Sequence, residues 1–357
     1  MGDRYKPDIA IHPGVTLRET SEAVNMTQKE LAARTGLAAK TINEIMQGGN
    51  PITFETAIKF GSVFGTSPDF WNNLQRSYGE AVLRLKEEER LQEEEVYLKD
   101  FKCYYDLVKN KYLEQTRNPR EKIKLLLNFF RVSSLSRVEY VQGIAFRKAK
   151  KNVSPQSLAA WLRCGEIEAE KTETLAFDRE KLKENIDGLR RLTRESPGEY
   201  SEKIKDICAS FGVTVVYVPY FKNTYVNGAT RFLPKGRALI QLCDRGGRED
   251  SLWFTFFHEL GHLYKHGKTK RFVDFDQAMA KYMKNEEEEE ADEFARNNLI
   301  PRGMFGAFYR KGDFSDEAIK LFAEEVGMSP GIVAGRLAYE TENWGRWSHL
   351  RRTIKIS

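Results

Sequence analysis

The amino-acid sequence predicts a mostly helical α+β chain, and three observations along its 357 residues support this fold class. Short helical patterns separated by turn signals run to about residue 80. A charged helical stretch and further helical patterns then continue to about residue 194. Segments rich in β-branched residues follow, and helical patterns return from residue 249. We therefore expect an all-α N-terminal domain, a helical connector and a C-terminal domain in which a small sheet packs on a helix, over residues 1–80, 81–194 and 195–357.

The composition excludes several classes of protein. Hydrophobic residues make up 41% and charged residues 31% of the chain, so it can form globular cores and is not disordered as a whole. The most apolar stretches, at residues 125–130 and 213–221, are far shorter than the about 20 residues that cross a bilayer. The first residues lack the apolar core of a signal peptide. We therefore expect a cytoplasmic protein with no membrane partner.

The cysteines and the net charge restrict the chemistry further. None of the four cysteines forms a CxxC pair, which argues against a zinc ribbon or a disulfide scaffold and predicts free thiols: Cys103, Cys164, Cys208 and Cys243. The formal net charge of +5 permits a nucleic-acid partner without requiring one.

Residues 26–53 show the pattern of two short helices joined by a tight turn. Thr27 and Glu30 have the spacing of a capping box at the start of the first helix, and Gly36 suits the turn. The second helix would turn three apolar side chains inward: Ile42, Ile45 and Met46. The segment therefore predicts a helix-turn-helix.

Three short segments predict strands in the C-terminal domain. They are VTVVYV from Val213, GATRFL from Gly228 and ALIQL from Ala238, and turn residues separate them. We expect them to form a small antiparallel sheet that precedes the long helical segment from Glu249.

The segment FTFFHELGHLYKHG contains an HExxH pattern at residues 258–262. On a helix, His258 and His262 lie on one face about 6 Å apart along the axis, so both imidazoles can bind one metal ion. Glu259 is then placed to act as the general base toward a water molecule. Two imidazoles, a third ligand and an open position are typical of catalytic Zn²⁺. The alternative is a pair of histidines that satisfy hydrogen bonds in a core.

The third ligand must come from another part of the chain. The pattern that would supply a third histidine requires Gly and His where this chain has Lys265 and Lys268, and we expect His266 to cap the helix or line the cleft. The acidic run at residues 286–290 begins a helix with a buried stripe at Ala291, Phe294, Ala295 and Leu299. Glu288 is on the inward side of that helix, and a metal is a suitable partner for a carboxylate that points at a core.

These residues resemble the ImmA/IrrE family of metallopeptidases over about residues 195–345. The resemblance rests on ALIQL, on FTFFHELGHLYKHG, on the ExxAD-x-FA segment from Glu288, on the LIP that follows it and on the helical segment IKLFAEEVGMSPGIVAGRLAYE. It implies a gluzincin-like zinc metallo-endopeptidase in which His258, His262 and Glu288 hold zinc and Glu259 is the general base. Asp292 would orient one of the histidines. Glu289 and Glu290 stay open as third ligands because the glutamate run leaves the register ambiguous. Members of this family cut repressor proteins, so a helix-turn-helix repressor is the implied substrate.

Residues 10–78 are similar to the Xre/HigA-type antitoxin regulators. The similarity implies an operator DNA partner, with Gln28 on phosphate and four side chains facing the major groove: Lys40, Thr41, Asn43 and Glu44. It also raises a toxin partner and a homodimer as possibilities. Residues 1–80 contain 8 Lys and Arg against 9 Asp and Glu, so a protein-interaction role is the alternative for this module.

Two functions compete at this point. The first is a zinc-dependent endopeptidase with a DNA-binding domain that cleaves a transcriptional repressor and so controls stress, mobile-element or toxin-antitoxin genes. The second is a non-enzymatic HigA-like antitoxin that represses its own operon, with the metal domain as a sensor or a structural unit. Glu259 favours the first, because a purely structural site does not need that base.

Overall fold

The computed structural model describes residues 9–141, 153–266, 271–275 and 286–354. The prediction of a mostly helical chain with a small sheet is confirmed. The chain divides into two compact units, Met1–Val96 and Tyr97–Ser357. No helix among the described residues is both long enough and apolar enough to cross a bilayer.

The first unit contains five helices. They are α1 (Pro13–Ala23), α2 (Gln28–Thr35), α3 (Ala39–Met46), α4 (Phe54–Phe64) and α5 (Pro68–Glu94). Apolar side chains from all five helices form one core, which includes Leu17, Leu31, Ile42, Phe60 and Trp71. Polar side chains accept hydrogen bonds from the backbone at the start of α1, α2, α4 and α5, which favours helices at these positions.

Helices α2 and α3 form the predicted helix-turn-helix. Gly36 ends α2 in the left-handed conformation (φ 67°), which a glycine adopts without steric cost. Thr27 Oγ1 accepts a hydrogen bond from the backbone N–H of Glu30 at 3.2 Å. The second half of the predicted capping box is wrong, because the Glu30 carboxylate bonds to Arg34 one turn further along α2.

The second unit begins with six helices. They are α6 (Tyr104–Lys109), α7 (Pro119–Phe130), α8 (Val138–Val141), α9 (Pro155–Glu170), α10 (Arg179–Arg191) and α11 (Pro197–Ser210). Ser154 caps α9, since its side chain accepts a hydrogen bond from the backbone N–H of Ser157, and Pro155 opens the helix.

A mixed four-stranded sheet follows, in the order β1-β3-β2-β4. Its strands are β1 (Val213–Tyr217), β2 (Val226–Phe232), β3 (Ala238–Leu242) and β4 (Arg271–Phe275). Strand β2 is antiparallel to both β3 and β4, but β1 is parallel to β3. The expectation of an antiparallel sheet is therefore wrong for β1. Strand β1 lies on the far side of β3 from β2. The chain reverses direction between β1 and β2 and again between β2 and β3, so β1 and β3 run the same way.

Helices cover the two faces of this sheet. Helix α12 (Glu249–Lys265) lies against one face and shares the main core with Val213, Ile240 and Leu242. Helix α9 lies on the opposite face, where Gln241 Nε2 of β3 donates to the carbonyl of Trp161 at 2.6 Å. Part of the predicted connector thus forms a layer of the second unit.

The remaining helices complete the core around α12. They are α13 (Glu286–Leu299), α14 (Arg302–Lys311), α15 (Asp316–Val326) and α16 (Pro330–Glu340). Helix α13 packs along α12 at Gly261, where a Cβ atom would lie only 3.1 Å from Ala291 Cα. A buried ion pair between Arg351 and Asp250, at 2.7 Å, fixes the C-terminal segment to the start of α12.

Candidate functional site

Helix α12 places the HExxH residues on the buried side of the second unit. Trp253, Phe256 and Phe257 anchor the helix in the core, and each is at most 1% exposed. One turn separates His258 from His262, and their ring centroids are 4.6 Å apart. The helix therefore presents both imidazoles at one place.

Three ligand atoms converge at this place. His258 Nε2 lies 2.9 Å from His262 Nε2, and Glu288 Oε2 lies 3.3 Å from the first and 3.6 Å from the second. A tetrahedral zinc ion with bonds of about 2.0–2.1 Å places its ligand atoms about 3.3 Å apart. The donor set therefore fits a zinc ion in both type and spacing. Among the described residues, this is the cluster able to hold a metal.

The packing of α13 on α12 selects Glu288 from the glutamate run. The close approach at Gly261 brings Ala291 against α12, and Glu288 lies one turn before Ala291. Glu289 is exposed, and Glu290 Oε2 instead lies 3.6 Å from His266 Nδ1. Only Glu288 of this run joins the two histidines within the described cluster.

Two further predicted residues surround the cluster. Asp292 Oδ1 lies 3.0 Å from His258 Nδ1, so the carboxylate can accept the proton of that nitrogen and turn Nε2 toward Glu288. His266 is the C-cap residue directly after α12, and its Nε2 lies 3.0 Å from the backbone oxygen of Glu287. His266 thus joins the end of α12 to the start of α13 and is not one of the three clustered donors.

The predicted DNA-contacting residues lie on α2 and α3. Gln28 begins α2 and is exposed, as are Lys40 and Asn43 on α3. Thr41 and Glu44 are half-buried on α3. The Glu44 carboxylate accepts a hydrogen bond from Asn50 Nδ2 at 2.6 Å, a contact for which the sequence carries no signal.

Comparison with known families agrees with both parts of the chain. The helix-turn-helix family model matches residues 17–71, and the model of the M78 peptidase family, described as the IrrE N-terminal-like domain, matches residues 208–338. An uncharacterized HTH-type transcriptional regulator of Escherichia coli, YddM, is 33% identical over 66 residues, which are 18% of this chain and 70% of YddM. The chain belongs to the helix-turn-helix family and carries an M78 domain. The resemblance predicted from the sequence is therefore confirmed.

Other helix-turn-helix relatives are similar over a short part of the chain. Antitoxin HigA-1 of Vibrio cholerae is 34% identical over 59 residues, which are 16% of this chain and 55% of HigA-1. The solved structure of Pseudomonas aeruginosa antitoxin HigA with the higBA promoter is 32% identical. That alignment covers 24% of this chain and 95% of the solved chain, with a TM-score of 0.23.

Glu259 in the M78 domain is a buried carboxylate with unused hydrogen-bonding capacity. Its side chain is fully buried, and neither carboxylate oxygen has a hydrogen-bond partner among the described residues. Burial raises the pKa of Glu259 well above its usual value. Gly228 of β2 faces it so closely that a Cβ atom there would lie 2.8 Å from Glu259 Oε1. The site thus keeps a carboxylate buried, with no hydrogen bond to its oxygens from the described residues.

The charges of the M78 donors follow from their contacts. Burial alone would raise the pKa of Glu288, but its hydrogen bonds with His258 and His262 lower it to about 2. Burial lowers the pKa of His258, but the contacts with Asp292 and Glu288 outweigh burial and raise it. Glu288 therefore stays ionised at neutral pH, as a metal ligand must be, and metal binding would release a proton from His258.

Strand β4 brings two residues to the M78 site that sequence analysis missed. The Phe272 ring stacks on His262, with centroids 4.0 Å apart and planes 12° apart. Asp274 Oδ2 lies 3.3 Å from Asn227 Nδ2 and 3.4 Å from Thr255 Oγ1, and burial raises the pKa of Asp274 to about 6. The segment RFVDF is short and carries no recognisable motif, so only its pairing with β2 reveals these residues.

Proposed function

We propose that this chain is a zinc-dependent endopeptidase with an operator-binding helix-turn-helix domain, and that its substrate is a helix-turn-helix repressor. The observation that carries the enzymatic part is the arrangement of four side chains. His258, His262 and Glu288 have the spacing of a tetrahedral ligand set, and Glu259 is buried beside them with no partner for its carboxylate oxygens among the described residues. A structural zinc site is closed by four protein ligands, whereas three ligands leave a position open, as catalytic zinc sites do.

In this proposal, Zn²⁺ is held by His258 Nε2, His262 Nε2 and Glu288. When bound, zinc would supply Lewis acidity toward a peptide carbonyl and toward water. The other tasks belong to the protein. Asp292 accepts the Nδ1 proton of His258 and fixes the imidazole in the orientation that frees Nε2.

Glu259 would carry the proton during hydrolysis. Its carboxylate can accept a proton from the attacking water and donate it to the leaving amine, because neither oxygen forms a hydrogen bond with a described residue. Burial raises the pKa of Glu259, which favours the protonated form that donates to the leaving amine. The absence of a side chain at Gly228 leaves room beside this carboxylate.

The helix-turn-helix domain would direct this activity to a promoter. Lys40 and Asn43 extend from the exposed face of α3, and Ile42, Ile45 and Met46 hold the opposite face in the core. An asparagine on a recognition helix can make two hydrogen bonds with adenine, and a lysine can contact guanine or phosphate. The HTH-type transcriptional regulator YddM covers this domain at 33% identity, which supports the operator as a partner.

A second function is a non-enzymatic antitoxin that represses its own operon. The 34% identity with antitoxin HigA-1 favours this function for the helix-turn-helix domain, and a toxin would then be the partner. The two functions differ in whether Glu259 is needed.

The substitution Glu259→Gln separates the two functions. We expect the variant to bind one equivalent of zinc but to lose cleavage of candidate helix-turn-helix repressors by at least about 100-fold, since it lacks the general base. Glu289→Gln is the matched control, because Glu289 is an exposed glutamate outside the donor cluster. Cleavage by the wild type should stop with chelator and return with zinc. Repressor cleavage by Glu259→Gln at the wild-type rate would refute the peptidase assignment.

A further inference from the structure

The excess positive charge of this chain lies outside the helix-turn-helix unit. Residues 1–96 contain 11 Lys and Arg against 15 Asp and Glu. Residues 97–141 contain 10 Lys and Arg against 5 Asp and Glu, an excess that equals the net charge of +5 of the whole chain. Duplex DNA binding draws much of its free energy from cations that neutralise phosphates. The helix-turn-helix unit has few such cations to offer, and residues 97–141 have many.

Two helices hold this basic segment in one folded surface. Phe101 packs edge-on against Phe130 at 5.8 Å, which joins the start of α6 to the end of α7. The Tyr104 hydroxyl donates to the carbonyl of Glu114 at 2.6 Å, and Lys122 Nζ lies 4.7 Å above the Tyr104 ring. Helices α6 and α7 are therefore neighbours in the fold.

The exposed basic residues of this surface form no salt bridge with a described residue, although Lys109 interacts electrostatically with Asp106 on the same helix. Six side chains on or beside the two helices are exposed and form no salt bridge with a described residue: Lys102, Lys109, Lys111, Arg117, Arg120 and Lys124. Helical spacing puts Tyr105 and Lys109 on one side of α6, and Arg120 and Lys124 on one side of α7. Lys102 lies in the turn just before α6, and Tyr105 is 73% exposed.

The aromatic residues of this surface indicate the class of partner. Every large hydrophobic residue that is exposed between residues 97 and 140 is a tyrosine: Tyr105 on α6, Tyr97 before that helix and Tyr140 on α8. A membrane surface would require exposed leucine, phenylalanine or tryptophan beside the lysines. Tyrosine hydroxyls and lysine ammonium groups are donors that contact DNA phosphates. The surface thus has the chemistry of a nucleic-acid backbone site.

We propose that the α6–α7 surface, defined by Lys102, Tyr105, Lys109, Arg120 and Lys124, binds the phosphate backbone of duplex DNA. This inference goes beyond the proposed function because it places a second DNA-binding surface outside the helix-turn-helix domain. The surface supplies affinity without sequence preference, and any choice of operator remains with α3.

The test compares the salt dependence of DNA binding among variants of the full chain. The probe is a fluorescent 24-base-pair duplex of random sequence, titrated by anisotropy between about 50 and 200 mM KCl. The slope of log Kobs against log[KCl] is negative. The triple variant Lys102→Gln, Lys109→Gln, Lys124→Gln should make it less negative by about 2 to 3, since each lost phosphate contact contributes about 0.9 to its magnitude. The control removes three exposed lysines elsewhere in the same unit: Lys181→Gln, Lys183→Gln, Lys320→Gln. Its slope should equal that of the wild type.

The outcomes separate this inference from operator recognition. A slope for the α6–α7 triple variant that equals the control overturns the inference, whatever Asn43→Ala does to operator preference. If the wild type does not bind the random duplex at 50 mM KCl, the inference is overturned as well. If the wild type then binds polyglutamate, the surface is assigned to an acidic protein. Loss of operator preference in Asn43→Ala, with the triple-variant effect intact, supports both proposals. Equal thermal melting of the two triple variants excludes a folding defect as the cause.

Discussion

The ring of Phe272 stacks flat on His262 and orients its imidazole, as the contact with Asp292 orients the imidazole of His258. The two ring centroids are 4.0 Å apart, and the planes are nearly parallel at 12°. His262 Nδ1 is buried and has no hydrogen-bond partner among the described residues, whereas His258 Nδ1 contacts Asp292. Metal-binding histidines usually have their second nitrogen fixed by a hydrogen bond. The orientation of His262 therefore depends on aromatic stacking.

Replacement of Phe272 should weaken zinc binding. Aromatic stacking contributes about 0.5–1.5 kcal/mol, so Phe272→Leu should raise the zinc dissociation constant by about 2- to 10-fold. The measurement is competition with a chromogenic chelator at fixed pH. Phe272→Tyr keeps the ring and should bind zinc like the wild type. Equal zinc affinity of the Leu and Tyr variants would show that stacking does not orient His262.

Loss of the Asp292 carboxylate should have a larger effect on zinc binding. Asp292→Ala removes the group that fixes His258, and such partners typically contribute about 10- to 100-fold in metal affinity. Asp292→Asn can still accept a hydrogen bond from Nδ1 and should lose less. Glu293→Ala is the control, because Glu293 is exposed on the same helix. The prediction fails if the Asp292 and Glu293 variants release zinc to the chelator equally.

The sequence predicted the part of the site that lies on single helices. The HExxH spacing placed His258 and His262 on one face of α12, and the buried stripe that includes Ala291 indicated that Glu288 points inward. Phe272 and Asp274 could not be found in this way, because they reach the site through pairing of β4 with a distant strand. Local patterns determine which side a helix buries, but they do not determine which strand lies next to which.

The same limit explains the errors in the fold. The parallel pairing of β1 with β3 depends on the order of strands in the sheet, which short apolar segments do not encode. Helix α9 lies in the predicted helical connector, but its packing against the sheet depends on Gln241 and Trp161, which lie 80 residues apart. The hydrogen bond from Asn50 to Glu44 likewise forms only after the chain turns at the end of α3.

Asp274 should make the chelated, metal-free protein less stable as the pH rises. Its pKa is raised to about 6 in the fold, so the unfolded chain ionises it more readily and stability decreases as the pH rises from about 4 to above 6. Asp274→Asn removes this cost and can keep the contacts with Asn227 and Thr255. The unfolding free energy is measured by urea denaturation for the variant and the wild type at both pH values. The difference, variant minus wild type, should be roughly 1–3 kcal/mol larger at pH 7.5 than at pH 4. A difference that does not change with pH would contradict the raised pKa.

A methyl group at Gly261 should separate the two helices that carry the proposed ligands. Its Cβ would lie 3.1 Å from Ala291 Cα and 3.2 Å from Phe294 Cβ, which is closer than packed backbone atoms allow. Helix α13 would have to move, and Glu288 would move with it. Gly261→Ala should therefore destabilise the protein by about 1–3 kcal/mol and weaken zinc binding at the same time.

The matched control is Gly188→Ala on α10, a half-buried position where a Cβ would meet no atom within 4 Å. That change should be neutral or stabilising by up to about 1 kcal/mol, because alanine favours a helix interior more than glycine does. Urea unfolding gives the stability of both variants, and the chelator competition gives their zinc affinity. If Gly261→Ala loses stability but binds zinc like the wild type, Glu288 does not depend on the contact between α12 and α13.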